Sequence, residues 1–190
     1  MPDIALFHSV LGVRQGVLDA ALRLTRLGHR VVVVDQYDGR DFDDYEEAGR
    51  FAESIGYPAL MERALAGTAE LPDGFVAAGF SNGGGMAEFV ATQRRVAGVL
   101  MFSGALPLEM LGVAEWPAGV PAQIHYALDD PFRRQAGIDS VVASIRAAGG
   151  DLDVYDYPGA GHLFTDKSLT AEYDADSAQL LWERVADFLS

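Results

Sequence analysis

The stretch that decides the fold is "GFVAAGFSNGGGMAEF", residues 74–89. It starts as an apolar strand and ends as a helix that Met86, Phe89 and Val90 continue, yet three consecutive glycines stand where that helix begins. Each glycine opposes a helix by about 0.8–1 kcal/mol relative to alanine. Something other than helix stability must favour Gly83, Gly84 and Gly85. Gly79-Phe80-Ser81-Asn82-Gly83 reads G-x-S-x-G, and strand before with helix after is the setting of a nucleophile elbow. Such a tight turn lifts the Ser81 hydroxyl above the strand tips, and its flanks must lack side chains so that backbone and neighbouring strand can close in. Gly84 and Gly85 then let the helix pack close to the sheet, its free N–H groups facing the reacting centre. A bare glycine-rich turn of the kind that cradles phosphate would share part of this pattern.

Outward from that turn, short apolar runs alternate with helical patterns, which points to strand-helix units and a parallel sheet. "DIALFHS" opens as a strand; Val17, Leu18, Ala21 and Leu24 follow at helical spacing, and Gly28 stops the helix before "VVVVD". The unbroken run Val31 to Val34 suits a strand covered on both faces. The acidic segment "GRDFDDYEEAGRFAESIG" leads to a helical pattern from Pro58 to Ala66. Further strands read at "VAGVLMFSG", "PAQIHYA" and "LDVYDYP", with a helix from Ile138 to Ala148. Ala178, Leu181, Val185 and Phe188 close the chain as an amphipathic helix.

Composition narrows the function. A length of 190 residues suits one domain, residues 1–190, with a sizeable core. The formal charge of −14 disfavours nucleic acid and anionic membranes, which need clustered Lys and Arg. Zero cysteines exclude disulfides, thiolate zinc sites and cysteine nucleophiles. No signal-peptide pattern opens the chain and no apolar run is long enough to span a bilayer, so a cytoplasmic protein is expected.

A serine nucleophile needs a base and an acid. Asp129 and Asp130 end the "PAQIHYALDDPF" strand, and His162 stands in "YPGAGHLF" after the last strand. The chain order Ser, acid, His is that of the α/β hydrolases, and in a parallel sheet all three loops emerge at one carboxyl edge. The oxyanion donors expected are the Asn82 backbone N–H and one from the loop after the first strand.

The chain resembles the dienelactone hydrolase family of the α/β-hydrolase fold over nearly its whole length. "LFHSVLGVR" is similar to the family's first-strand exit, "DQYDG" to its second, "GFSNGGG" to its nucleophile turn, "ALDDPF" to its acid loop and "GAGHLF" to its histidine loop. The resemblance implies Ser81 as nucleophile, His162 as base and Asp130 as acid, with Asp129 the alternative, and places the second oxyanion donor at Val10. It implies a reduced α/β-hydrolase fold: a wholly parallel six-stranded sheet, ordered 2-1-3-4-5-6, flanked by helices and without a lid domain. His8, Ser9, Leu11, Tyr37, Met86 and Phe164 are the expected pocket residues, with Trp116 and Phe132 also near the active loops.

Three departures carry information. The family enzyme's nucleophile is cysteine, where this chain has Ser81; the glutamate that arms that thiol is replaced by Ser9; and the arginine that grips the substrate carboxylate is replaced by Asp166. The expected substrate is therefore a small ester or lactone without that carboxylate, handled with no cofactor and no metal. Acyl transfer to an acceptor other than water, and a non-catalytic binding module, are the alternative functions. His8 and His125 read as packed histidines on strands, with His8 also able to border the pocket, and His29 as solvated at a helix end. Asp41, Asp43, Asp44, Glu46 and Glu47 read as a solvated acidic face rather than a calcium loop.

Overall fold

The computed structural model describes residues 1–190 and contains six parallel strands: β1 (Ile4–Phe7), β2 (Val31–Val34), β3 (Phe75–Phe80), β4 (Val96–Phe102), β5 (Ala122–Ala127) and β6 (Leu152–Tyr157). They form one sheet in the order β2-β1-β3-β4-β5-β6, as the sequence led us to expect. Every residue of β1, β3 and β5 is buried, which explains their unbroken apolar runs. Six helices connect or close the strands: α1 (Gln15–Arg26), α2 (Tyr45–Ile55), α3 (Tyr57–Ala66), α4 (Asn82–Gln93), α5 (Gln135–Ala147) and α6 (Ala175–Phe188). The β4–β5 connection holds only a short 3-10 turn, Leu108–Leu111, so no lid unit is inserted there.

Order and handedness together fix the layers. The chain steps from β1 outward to β2 and then back across β1 to β3, so right-handed crossovers put α1 on one face and the α2–α3 connection on the other. α6 joins α1, the Arg23 guanidinium lying 5.8 Å from the Trp182 ring centroid. Because the direction reverses between β1 and β3, the loops after these two strands part and leave a crevice at the carboxyl edge. Ser81 follows β3 and the 8–14 loop follows β1, so both sit at that crevice.

Four readings of the sequence are corrected. β2 is an edge strand, and Val31, Val32 and Val33 are only half-buried; four β-branched residues fill a one-sided strand as readily as a central one. In α1 the buried stripe is Gly16, Val17, Ala20 and Leu24, while Leu18 is exposed. The acidic segment contains a helix, α2, whose N-cap Asp44 accepts the Glu47 N–H at 2.8 Å. Its acids have local uses, since Asp43 pairs with Arg14 and Glu46 with Arg50. Finally, His29 is buried rather than solvated, its Nδ1 lying 2.8 Å from the Pro2 carbonyl oxygen, because the segment leading into β1 runs beside it.

Candidate active site

The site starts with the backbone of Ser81, held at φ 52° and ψ −116° between β3 and α4. A non-glycine residue there stores roughly 1–3 kcal/mol of strain and persists only where its surroundings enforce it. The glycines let those surroundings close in. A Cβ on Gly79 would overlap the Gly83 carbonyl, one on Gly83 would overlap the Phe7 carbonyl, and one on Gly84 would overlap the Gly104 carbonyl. Gly104 in turn has room for no side chain against the Ser81 carbonyl. The turn is thus clamped between the ends of β1 and β4. Ser81 N–H donates to Phe102 O at 2.7 Å, completing the clamp.

Ser81 holds the N-cap position of α4, yet its side chain caps no helix N–H. The hydroxyl is engaged elsewhere: Oγ lies 2.7 Å from His162 Nε2, and His162 Nδ1 lies 2.7 Å from Asp130 Oδ2. A carboxylate can only accept, so Nδ1 carries the ring proton and Nε2 is left to accept the serine hydroxyl. The Asp130 side chain is fully shielded from solvent, and its other oxygen accepts the Phe132 N–H at 2.8 Å, which fixes the carboxylate plane. Asp129, next to it, is exposed. This chain of bonds lets a neutral hydroxyl lose its proton while it attacks an electrophile.

His162 is itself held by its neighbours. Phe132 lies 4.6 Å and Tyr45 5.9 Å from its ring, centroid to centroid. Tyr45 donates its hydroxyl to the Glu172 carboxylate at 2.8 Å, and Glu172 also accepts the Leu163 N–H at 2.7 Å. Burial, reinforced by Glu172, pushes the Tyr45 hydroxyl pKa far up, so it stays a donor. Neither Tyr45 nor Glu172 was singled out in the sequence. The available signal was the apolar spacing of Tyr45, Ala48, Ala52 and Ile55 behind the Asp44 cap.

Two backbone N–H groups belong to the turns that follow β3 and β1 at the carboxyl edge of the sheet. Asn82 is the first residue of α4, where an N–H has no intrahelical acceptor. The Val10 N–H makes no backbone hydrogen bond in the protein either. The pocket residues expected from the sequence are buried. Leu11, Tyr37, Met86 and Phe164 belong to the buried core cluster, as does Trp116. His8 and Ser9 are buried and bonded to backbone. What surrounds the serine at the surface includes Tyr57, whose hydroxyl accepts from Asn82 Nδ2 at 3.3 Å, and the exposed ring of Phe132.

Asp166 is buried and turned into the protein, where its Oδ2 lies 3.7 Å from Arg14 Nε and its Oδ1 accepts the Ser168 N–H at 2.8 Å. His125 is packed inside the sheet layer, its Nδ1 2.8 Å from the Tyr157 hydroxyl. Burial first, with Arg184 adding to it, lowers its pKa to about 3 and keeps it neutral.

A parallel sheet in this order, with a strained serine on the β3–α4 turn and loops from β5 and β6 converging on it, defines an α/β hydrolase. The chain belongs to the dienelactone hydrolase family, whose sequence model matches residues 1–190. It is 33% identical over 115 residues to the "putative carboxymethylenebutenolidase" of Saccharolobus solfataricus. That match covers 60% of this chain and 43% of that protein, so the chain spans less than half of this relative's length. Among solved structures it is similar to a dienelactone hydrolase-like promiscuous phosphotriesterase from metagenomic libraries. The TM-score is 0.79 at 24% identity, covering 99% of this chain and 85% of that one. It is also similar to the dienelactone hydrolase of Anabaena variabilis, with TM-score 0.58, 23% identity, and coverage of 96% and 84%. These likenesses establish the shared fold.

Proposed function

We propose that the protein is a serine hydrolase that cleaves small uncharged carboxylic esters or lactones through an acyl-enzyme on Ser81. The observation that carries this reading is the unbroken line Ser81 Oγ, His162 Nε2, His162 Nδ1, Asp130 Oδ2, with both hydrogen bonds at 2.7 Å. Ser81 Oγ attacks the carbonyl carbon as its proton passes to His162 Nε2, and Asp130 stabilises the imidazolium that forms. The carbonyl oxygen becomes an oxyanion, accepting from the Asn82 and Val10 N–H groups. His162 returns the proton to the leaving oxygen as the C–O bond breaks. Water, deprotonated by the same imidazole, then attacks the acyl carbon and frees Ser81.

Substrate charge follows from the residues around this line. By the family resemblance Asp166 stands where the family has its carboxylate-gripping arginine, and Arg14, the cation next to it, is already paired with Asp43 at 2.6 Å. An anionic acyl group would find no free cation there. The rim instead offers the rings of Tyr57 and Phe132. A fluorophosphonate probe tests the assignment of the nucleophile: it should label the protein stoichiometrically and fail to label Ser81→Ala. Equal labelling of both proteins would refute it.

A further inference from the structure

The Val10 N–H can serve a developing oxyanion only if its peptide plane is aimed, and the structure shows what aims it. In a trans peptide the carbonyl of one residue and the N–H of the next point in opposite directions across a rigid plane. No peptide bond of this protein is cis. The direction of the Ser9 carbonyl therefore dictates the direction of the Val10 N–H.

That carbonyl is gripped twice. His8 Nδ1 lies 2.7 Å from Ser9 O, and the Gly12 N–H donates to the same oxygen at 3.1 Å. The histidine's role is unambiguous because the Gln36 N–H, which can only donate, points at His8 Nε2 at 3.0 Å. Nε2 must accept, so Nδ1 carries the proton and donates to Ser9 O. The ring is 2% exposed, and the Tyr37 ring meets it edge-on at 4.6 Å, so it has little freedom to turn. Burial also lowers its pKa, against the opposing effects of Ser9 O and Asp35, which favours the neutral form this pattern needs. The rest of the loop is tied independently of His8: Leu11 N–H donates to Ser9 Oγ at 3.1 Å and Phe42 N–H to Leu11 O at 2.9 Å.

We infer that His8 is a positioning residue for the oxyanion hole, its Nδ1–H holding the Ser9 carbonyl so that the Val10 N–H on the other side of the same peptide faces the reacting oxygen. The inference rests on the reading of Ser81 as nucleophile and Val10 as oxyanion donor. His8 touches no substrate. It links the exit of β1 to that of β2 through Gln36, so the aim of one backbone donor is set by two strands of the sheet rather than by the loop alone.

Two near-isosteric variants separate the two bonds that His8 makes. An asparagine amide overlays the Nδ1 position and keeps a donor for Ser9 O. A glutamine amide reaches the Nε2 position and keeps only the link to Gln36. The experiment is steady-state hydrolysis of p-nitrophenyl acetate by wild type, His8→Asn, His8→Gln and His8→Phe. Rates are normalised to sites labelled by fluorophosphonate at completion, and binding of phenylboronic acid, a tetrahedral mimic, is measured alongside. Loss of a whole oxyanion donor costs about 100- to 1,000-fold in kcat, and here Gly12 still holds the carbonyl, so about 10- to 100-fold is expected for His8→Gln and His8→Phe. KM should stay within about twofold and boronate affinity should fall in parallel with kcat. His8→Asn should recover kcat to within about threefold of wild type. The inference is overturned if His8→Gln matches or exceeds His8→Asn, or if per-site kcat is unchanged in every variant that labels. If wild type neither labels nor forms the boronate adduct, the fault lies in the assignment of Ser81 instead.

Discussion

Glu88 gives the sharpest physical prediction, because α4 carries this carboxyl into the core about two turns beyond Ser81. It is 0% exposed; Oε1 accepts the Leu106 N–H at 2.7 Å and Oε2 has no partner. Burial raises its pKa well above the ordinary glutamate value, with the Leu106 bond acting weakly the other way. In the unfolded chain the same group loses its proton near pH 4.3. Above that pH the folded state still binds a proton that the unfolded state has released. Folding stability therefore falls as pH rises, by about 1.4 kcal/mol per pH unit, until the raised folded pKa is passed. Glu88→Gln keeps the acceptor for Leu106 and removes the ionisation, and an unpaired amide donor replaces an unpaired acid hydroxyl with no dependence on pH. Urea unfolding of both proteins from pH 5 to 8 measures the difference, followed by the fluorescence of Trp116 and Trp182, both buried. The variant should gain on wild type by about 1.4 kcal/mol for each pH unit over the lower part of that range. A difference that is flat with pH, or one in which wild type gains, would refute the reasoning.

The remaining predictions concern the elbow, the acid and the substrate. Gly79→Ala places a methyl inside the Gly83 carbonyl, a backbone group that cannot yield, and should lose about 3 kcal/mol or more in urea unfolding. Gly49→Ala, in α2 with open space at its Cβ position, should gain about 0.5–1 kcal/mol in the same assay. Asp130→Asn should lower kcat for p-nitrophenyl acetate by about 1,000- to 10,000-fold, because the imidazole loses its orienting acceptor. Asp129→Asn, altering an exposed neighbour, should stay within about twofold, and the reverse ranking would move the acid to Asp129. Neutral p-nitrophenyl acetate should be hydrolysed at least about tenfold more efficiently than the anionic mono-p-nitrophenyl succinate, given the overall charge of −14 and the commitment of Arg14 to Asp43. A preference for the succinate would contradict the reading of the rim.

Much of this molecule could be read from its residues because the fold leaves marks that are local. Central strands buried on both faces appear as runs such as "FVAAGF", and a turn that admits no side chains appears as consecutive glycines. Sheet order and the choice of Asp130 over Asp129 came from the family resemblance, whereas the approach of Ser81, His162 and the β5 loop to one another followed from the rule that parallel strands deliver their loops to one edge. Features set by the third dimension were not. The half-burial of Val31–Val33 depends on β2 lacking an outer neighbour, and the burial of His29 depends on Pro2. Helix α2 was hidden because its surface charges outnumber its buried stripe. The burial of side chains near the site was hidden for a related reason: Tyr37 and Met86 lie near the active loops in sequence and belong to the buried core, whereas Tyr45 and Tyr57 reach the site from helices whose approach no local pattern records.

The claim on which the account depends is that Ser81 carries the acyl group between two half-reactions. Rapid acid quenching of a reaction with p-nitrophenyl acetate, followed by peptide mass spectrometry, measures this directly. An acetyl group should appear on the Ser81 hydroxyl in wild type, and turnover should be abolished in Ser81→Ala. Hydrolysis by Ser81→Ala at the wild-type rate, with no acetyl on the Ser81 peptide of wild type, would contradict it.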